Sequence, residues 1–191
     1  KFAYKLLDIG LKEDENVFCL LKNSPEFLIS LFAVMKIGAV FVPINTELRG
    51  QFLEHQFLNS DPKIVIIDNM LLDVFKDVKP QKNKLKSTIV TKSFDKKLVP
   101  MALHSEADIT FQSCFDSPSH ASDISLLKTA SIHKICAIMY TSGTTGPSKG
   151  VLLTHGHFFS YSIISAEVQH LTTEDTYYIC MPLFHINALS I

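Results

Sequence analysis

The hydrophobic residues of this chain fall into blocks of two alternating kinds. Continuous apolar runs, which are typical of strands buried on both faces, occupy residues 17–21, 39–44 and 63–68. Apolar residues at helical spacing lie between these runs, over residues 25–36 and from about 50 to 59. Strands that lack a polar face and alternate with helices predict an α/β fold, with a mostly parallel sheet flanked by helices.

The pattern weakens in the middle of the chain and then returns. A helix is predicted over residues 71–78 and a strand over 88–91, whereas residues 93–130 are rich in Ser, Asp, His and Pro and predict a long variable connection with short elements. The later predicted elements are strands at 135–140, 150–154 and 177–181 and a helix from about 157 to 170. We therefore divide the chain into a first sheet region (1–92), a variable connection (93–133) and a region around a glycine-rich turn (134–191).

One apolar stretch, residues 27–43, is long enough to suggest a membrane span. Lys36, Gly38 and Pro43 interrupt it, and the sequence Asn-Ser-Pro-Glu in front of it is typical of a helix cap with proline at the first helical position. We expect a buried helix followed by a buried strand, and no transmembrane segment.

The composition of the chain argues against a disordered protein and against nucleic-acid binding. With 47% hydrophobic and 19% charged residues, the chain is too apolar to be disordered. Its 18 basic and 19 acidic residues give a net charge of −1, which provides no general attraction for nucleic acid. The four cysteines lack Cys-x-x-Cys spacing, which favours reduced thiols in a cytoplasmic protein.

The most informative segment is the turn TSGTTGPSK at residues 141–149, between two apolar runs that predict strands of the buried type. Gly143 and Gly146 permit positive φ, so that successive backbone N–H groups can converge on an anion. Five hydroxyl residues add donors and Lys149 adds a positive charge. These groups suit a polyphosphate.

Two other interpretations of this turn fit its residues less well. An exposed flexible hairpin would explain the glycines and small polar residues, but it needs neither five hydroxyl groups nor a lysine at the far stem. A Walker A loop is excluded by spacing, because Ser148 stands five residues after Gly143 where glycine is required.

The longer segment YTSGTTGPSKGVLLTH resembles the phosphate-binding signature of the adenylate-forming superfamily, which comprises acyl-CoA synthetases, adenylation domains and firefly luciferase. The similarity extends upstream through PEFLISLFAVMKIGAVFVPINTELRGQFLEHQFLNSDPKIVIID and downstream to MPLFHINAL. Within the superfamily the sequence is most similar to crotonobetaine/carnitine-CoA ligases and to medium- or long-chain acyl-CoA ligases. The resemblance implies the first part of a large N-terminal domain.

The resemblance also implies a reaction in two steps. A small-molecule carboxylic acid and Mg-ATP give an acyl-adenylate and pyrophosphate, and a thiol, usually that of CoA, then displaces AMP. The residues implied in binding the phosphates are Thr141, Ser142, Gly143, Thr144, Thr145, Gly146 and Lys149. Lys149 and His185 are the implied catalytic residues, and Thr144 or Thr145 is the candidate contact for Mg²⁺ carried by ATP. Phe184 and His185 match an aromatic/His motif beside the acyl and thiol path.

The chain also departs from the family pattern. Pro147 and Ser148 precede Lys149 where the family commonly has a variable residue and then proline. A helical pattern already under way at Lys1, and an apolar run without a stop signal at Ile191, predict a fragment. The family's later motifs are not in the sequence, so we expect the chain to be inactive alone.

Two further functions fit the same residues. One is an adenylation module that loads a carrier protein, and the other is a nucleotide- or partner-binding remnant without turnover. The sequence leaves open the acid, the thiol acceptor and the oligomeric state. His155 and His157 are two residues apart at the start of a helix, where their side chains diverge, so we expect no metal pair there.

Overall fold

Seven strands form one sheet in the computed structural model of the chain, which describes residues 1–78, 85–92, 108–116, 131–141 and 147–189. In chain order the strands are β1 (Asn16–Leu20), β2 (Val40–Pro43), β3 (Ile64–Asp68), β4 (Ser87–Thr91), β5 (Asp108–Thr110), β6 (Ile135–Tyr140) and β7 (Gly150–Thr154). Their spatial order is β5-β4-β3-β1-β2-β6-β7. All neighbours are parallel except β6 and β7, which are antiparallel. The predicted mostly parallel α/β fold is confirmed.

Helices connect these strands and cover the sheet. They are α1 (Phe2–Asp8), α2 (Pro25–Ile37), α3 (Gly50–Ser60), α4 (Leu72–Phe75), α5 (His155–Val168) and α6 (Ile186–Leu189), with 3₁₀ turns at Asn69–Leu71 and Gln112–Phe115. The helix expected over residues 71–78 is therefore shorter than predicted: a 3₁₀ turn leads into a four-residue α-helix.

The continuous apolar runs are explained by burial on both faces of the sheet. In β1, Val17 and Cys19 contribute to the core under α1 and α2, whereas Phe18 and Leu20 contribute to the core under α3. Since successive side chains of a strand point to opposite faces, each face requires its own apolar set. The four positions of β1 after Asn16 are therefore all buried and apolar.

The predicted cap of α2 is confirmed. The Ser24 hydroxyl accepts a hydrogen bond from the backbone N–H of Phe27 at 3.3 Å, and Pro25 occupies the first helical position. Gly38, with φ of +80°, ends the helix in the left-handed conformation that glycine tolerates best. The chain then enters β2 within two residues.

The strand order brings distant parts of the chain to one edge of the sheet. β1 lies between β2 and β3, so the chain leaves β1 in one direction and later returns past it in the other. β6 pairs with β2, where Phe41 is in register with Ala137. The carboxyl ends of β2 and β6 are therefore adjacent, and in open parallel sheets ligands bind beyond such ends.

Two strand predictions require correction. Residues 177–181 form no strand, and Tyr178 is 84% exposed: a strand needs a hydrogen-bonding neighbour, and none of the seven strands of the sheet pairs with this segment. β7 is a strand as predicted, but it is not buried on both faces. It follows β6 at the end of the sheet, which leaves Val151 and Leu152 about half exposed.

Two further observations bear on the sequence expectations. Among the described residues, none of the helices combines the length and apolar character needed to cross a bilayer. The four cysteines are free thiols, of which Cys19, Cys114 and Cys136 are buried and Cys180 is exposed. Burial raises the pKa of the Cys114 and Cys136 thiols to about 11.

The packing around β2 predicts a large loss of stability when Phe41 is truncated. Phe41 is fully buried, and its ring contacts that of Phe27 edge to face at 5.3 Å. Phe41→Ala should lower the free energy of unfolding by about 3–5 kcal/mol. Phe32→Ala on α2 is the matched control, because that ring is 60% exposed and its loss should change stability by about 0.5 kcal/mol or less. Equal losses in denaturant unfolding would contradict the described core.

Candidate functional site

A cleft with a volume of about 630 Å³ opens beyond the carboxyl ends of β2 and β6. Its size falls within the range usual for small-molecule sites. The lining residues are Pro43, Asn45, Leu48, Phe52, Gln56, Met139, Tyr140, Thr141, Ser148, Val151, Leu153, His157, Tyr161, Phe184, His185 and Ile186. Strands β2, β6 and β7, helices α3 and α5, and the turn before α6 therefore form one concave surface.

The glycine-rich turn begins and ends at this cleft. The backbone N–H of Thr141 donates to the carbonyl O of Lys149 at 3.0 Å, which extends the pairing of β6 and β7 by one residue. Gly150 opens β7 where a side chain would not fit, because a Cβ there would lie 2.7 Å from the Ile138 side chain. The close approach of the two strands fixes the separation of the stems.

The predicted phosphate-binding residues divide into two groups. Thr141 lines the cleft, and Lys149 lies beside the cleft residue Ser148 with an exposed side chain. Ser142, Gly143, Thr144, Thr145 and Gly146 lie outside the described residues. The structure thus places the two stems of the predicted phosphate loop, and the roles of its residues stay predictions.

Helix α3 holds both stems. The side-chain amide of Gln56 donates to the Ser148 hydroxyl at 2.9 Å, and the Nε2 of His55 lies 3.1 Å from the Ser148 carbonyl O. The Tyr140 hydroxyl donates to Oδ1 of Asn59 at 2.7 Å, with the Gln56 carbonyl O at 3.2 Å. Burial raises the pKa of Tyr140 to about 12, so this hydroxyl stays protonated and remains a donor at neutral pH.

The turn that carries His185 is fixed to the end of β1 by Asn23. The Asn23 side chain donates to the Met181 carbonyl O at 2.9 Å and accepts from the Leu183 N–H at 2.7 Å. His185 is exposed to the cleft, and its ring centroid lies 4.4 Å from that of Phe184. The structure therefore brings Thr141 and His185, two of the predicted site residues, to the same cleft.

The two neighbouring histidines at the start of α5 have different surroundings. His157 lines the cleft and its ring centroid lies 5.1 Å from that of Tyr161. His155 is partly buried, and burial lowers its pKa, which favours the neutral ring. Among the described residues, no three His, Cys, Asp or Glu side chains are grouped so that they could hold a metal ion.

Sequence reasoning missed the residues that support the site: Asn23, His55, Gln56, Asn59 and Tyr140. The sequence carries one indication of the role of Gln56. It lies on the apolar stripe of α3 with Leu53 and Phe57, where a polar side chain must have a partner inside the fold. The contacts of Asn23 carry no local signal, because Met181 is 158 residues further along the chain.

The sequence model of the family described as AMP-binding enzyme matches residues 1–191. The chain belongs to the AMP-binding enzyme family. Two similar curated relatives are 2-succinylbenzoate–CoA ligases. The enzyme of Bacillus cereus ATCC 10987 is 28% identical, and the match covers 97% of this chain and 32% of the relative. The enzyme of Listeria monocytogenes serotype 4b is 29% identical, and the match covers 100% of this chain and 34% of the relative. The chain thus spans about a third of the length of these relatives.

Solved structures share the fold of this chain. A long-chain-fatty-acid-CoA ligase of Archaeoglobus fulgidus superposes with a TM-score of 0.79 at 26% identity, covering 99% of this chain and 35% of that one. ATP-bound MatB of Rhodopseudomonas palustris superposes with a TM-score of 0.73 at 23% identity, covering 98% of this chain and 34% of that one. The special similarity to carnitine-CoA ligases stays a prediction.

The Asn23 contacts predict how the His185 turn responds to substitution. Asn23→Ala removes the acceptor of the Leu183 N–H, so hydrogen exchange of the Leu183 amide should become about threefold to tenfold faster, the value of one net hydrogen bond. Asn23→Asp is a partial control: it loses the donor to the Met181 carbonyl O but keeps an acceptor for the Leu183 N–H, so this amide should be better protected than in Asn23→Ala. Equal exchange in Asn23→Ala and the wild type would show that Asn23 does not fix this turn.

Proposed function

We propose that these residues form the phosphate side of the active site of an ATP-dependent, AMP-forming acid–thiol ligase. The enzyme would activate a small-molecule carboxylic acid as an acyl-adenylate and transfer the acyl group to CoA. One observation carries the proposal: both stems of the glycine- and hydroxyl-rich turn and His185 meet at a single cleft beyond the carboxyl ends of parallel strands.

The comparisons support the same chemistry. The curated relatives named above are ligases of 2-succinylbenzoate and CoA, and the Archaeoglobus structure is that of a fatty acid–CoA ligase. We propose a related acid for this protein, with aromatic and fatty acids as the first classes to test. A cytoplasmic location is proposed on the free thiols, three of which are buried.

In the first half-reaction the acid attacks the α-phosphate of ATP and pyrophosphate leaves. A carboxylate is already ionised at neutral pH, so this attack requires no general base. The barrier falls when the charge that develops on the pyrophosphate is neutralised by fixed donors and cations. We assign this task to the backbone N–H groups and hydroxyls of residues 141–146 and to Lys149. Mg²⁺ enters with ATP, and Thr144 or Thr145 is its proposed contact.

In the second half-reaction the CoA sulfur attacks the acyl carbonyl carbon and AMP leaves. His185 and Phe184 line the cleft immediately before α6. We propose that they orient the acyl group and the incoming thiol, since both side chains are held on a turn whose backbone Asn23 fixes at two points. Positioning of this kind makes the attack effectively intramolecular.

Removal of the Lys149 charge tests the first half-reaction. In the full-length protein, Lys149→Ala should slow acid-dependent exchange of labelled pyrophosphate into ATP by about 10²–10³-fold, as expected for one preorganised charge donor. Lys36→Ala is the matched control, because Lys36 is exposed on α2 and does not line the cleft. The acids to test are 2-succinylbenzoate, short, medium and long fatty acids, carnitine and crotonobetaine.

The outcomes separate the candidate functions. Exchange with one acid, followed by formation of its CoA thioester, supports the proposal. Exchange without a CoA thioester, but with loading of a carrier protein, favours the adenylation module instead. Absence of exchange with every acid would contradict ligase activity and favour a binding role. Unchanged exchange in Lys149→Ala would show that the lysine is structural.

A further inference from the structure

Gln56 contacts both stems of the phosphate loop from one position on α3. Its side-chain Nε2 donates to the Ser148 hydroxyl at 2.9 Å, and its backbone carbonyl O lies 3.2 Å from the Tyr140 hydroxyl. Tyr140 is the last residue of β6 and Ser148 lies two residues before β7. A single residue of a helix therefore connects the beginning and the end of the loop.

Ser148 is held at two atoms. Its hydroxyl accepts from Gln56, and its carbonyl O lies 3.1 Å from His55 Nε2, where the ring N–H acts as the donor because a carbonyl only accepts. The next residue is Lys149, whose carbonyl O accepts from Thr141. Fixing Ser148 therefore also fixes the backbone from which the Lys149 side chain extends.

Packing alone does not explain a glutamine at position 56. Gln56 is 5% exposed and lies on the stripe of α3 that also buries Leu53 and Phe57, where an apolar side chain would be the stable choice. Burial of an amide costs free energy unless its groups are hydrogen-bonded. Its Oε1 is buried without a partner among the described residues, so the contact with Ser148 is the hydrogen bond that its side chain does make there.

The partner residue, Ser148, supplies a hydroxyl on the loop side of this contact. The pair of Gln56 and Ser148 is thus a matched donor and acceptor, one on α3 and one on the loop.

We propose that Gln56 is a positioning residue of this site. The latch, which we define as the contacts of Gln56 and His55 with Ser148, holds the loop's second stem in the geometry that receives the ATP phosphates. Preorganised donors bind and stabilise charge without a further cost of ordering. The inference rests on the proposed function, because it assigns ATP as the ligand that the latched loop receives.

Hydrogen exchange of the Thr141 amide measures the latch directly, because this amide bonds to the residue after Ser148. In the full-length protein, Gln56→Ala and Ser148→Ala should each accelerate its exchange about threefold to tenfold. The double variant should exchange no faster than the faster single variant, because both substitutions remove the same bond. Ser148→Thr keeps the hydroxyl and should restore protection. Gln51→Ala, an exposed glutamine on the same helix, should leave the rate unchanged.

Affinity for Mg-ATP distinguishes positioning from a purely structural role. The Kd for Mg-ATP, measured by calorimetry without turnover, should rise about threefold to tenfold in Gln56→Ala and Ser148→Ala and return to the wild-type value in Ser148→Thr. A structural role would lower the melting temperature of Gln56→Ala while the Kd stays unchanged. If Gln56→Ala fails to fold, Ser148→Ala tests the positioning role in its place, since it removes only one hydroxyl from a partly exposed turn.

Failure of this inference differs from failure of the proposed function. The latch is overturned if Ser148→Ala leaves both the Thr141 exchange rate and the Kd for Mg-ATP at their wild-type values, or if the effects of the two single variants simply add. The proposed function is overturned if the wild-type protein supports pyrophosphate exchange with none of the acids, whatever the variants show.

Discussion

The parallel pairing of β2 with β6 is the constraint on which the site depends. β2 ends at Pro43 and β6 ends at Tyr140, and their side-by-side alignment places the stems of the glycine-rich turn at the same edge of the sheet as the cleft residues of α3. A parallel neighbour needs a crossover connection, so the chain between these strands first builds β3, β4 and β5 on the far side of β1. The cleft forms where β6, from the second half of the chain, lies beside β2, from the first half.

Helix α3 has two roles because of this pairing. One side contributes Leu53 and Phe57 to the core beneath β1 and β3, and the same stripe carries Gln56 to the cleft. The end of α3 also provides Asn59, which accepts from Tyr140 at the end of β6. Packing of the sheet and placement of the loop are therefore not independent. Substitutions in the core under α3 should also change the positions of the two loop stems.

The fold was largely predictable from the sequence because it rests on local patterns. The apolar runs of β1, β2 and β3 and the Ser24-Pro25 cap of α2 each reflect a constraint within a few residues, and all are confirmed. Residues 177–181 show the limit of such patterns. An apolar run reflects the preference of its side chains, whereas a strand also needs a neighbour for its backbone groups, and none of the seven strands of the sheet pairs with this segment.

The site was predictable only in part. Thr141, Lys149 and His185 lie in recognisable motifs, and the structure places Thr141 and His185 at the cleft with Lys149 adjoining it. The residues that fix these motifs, Asn23 and Gln56, act through contacts across more than 90 residues of sequence. Such contacts follow from the strand order rather than from spacing, so they became visible only with the fold.

The central claim is that the glycine-rich turn, α3 and the His185 turn surround one nucleotide. Hydrogen exchange of the full-length protein, measured peptide by peptide with and without saturating Mg-ATP, tests this claim most directly. The account predicts that Mg-ATP slows exchange in residues 141–149 together with residues 52–56 and 182–186. Unchanged exchange in residues 141–149, or protection confined to β4 and β5 at the other end of the sheet, would contradict it.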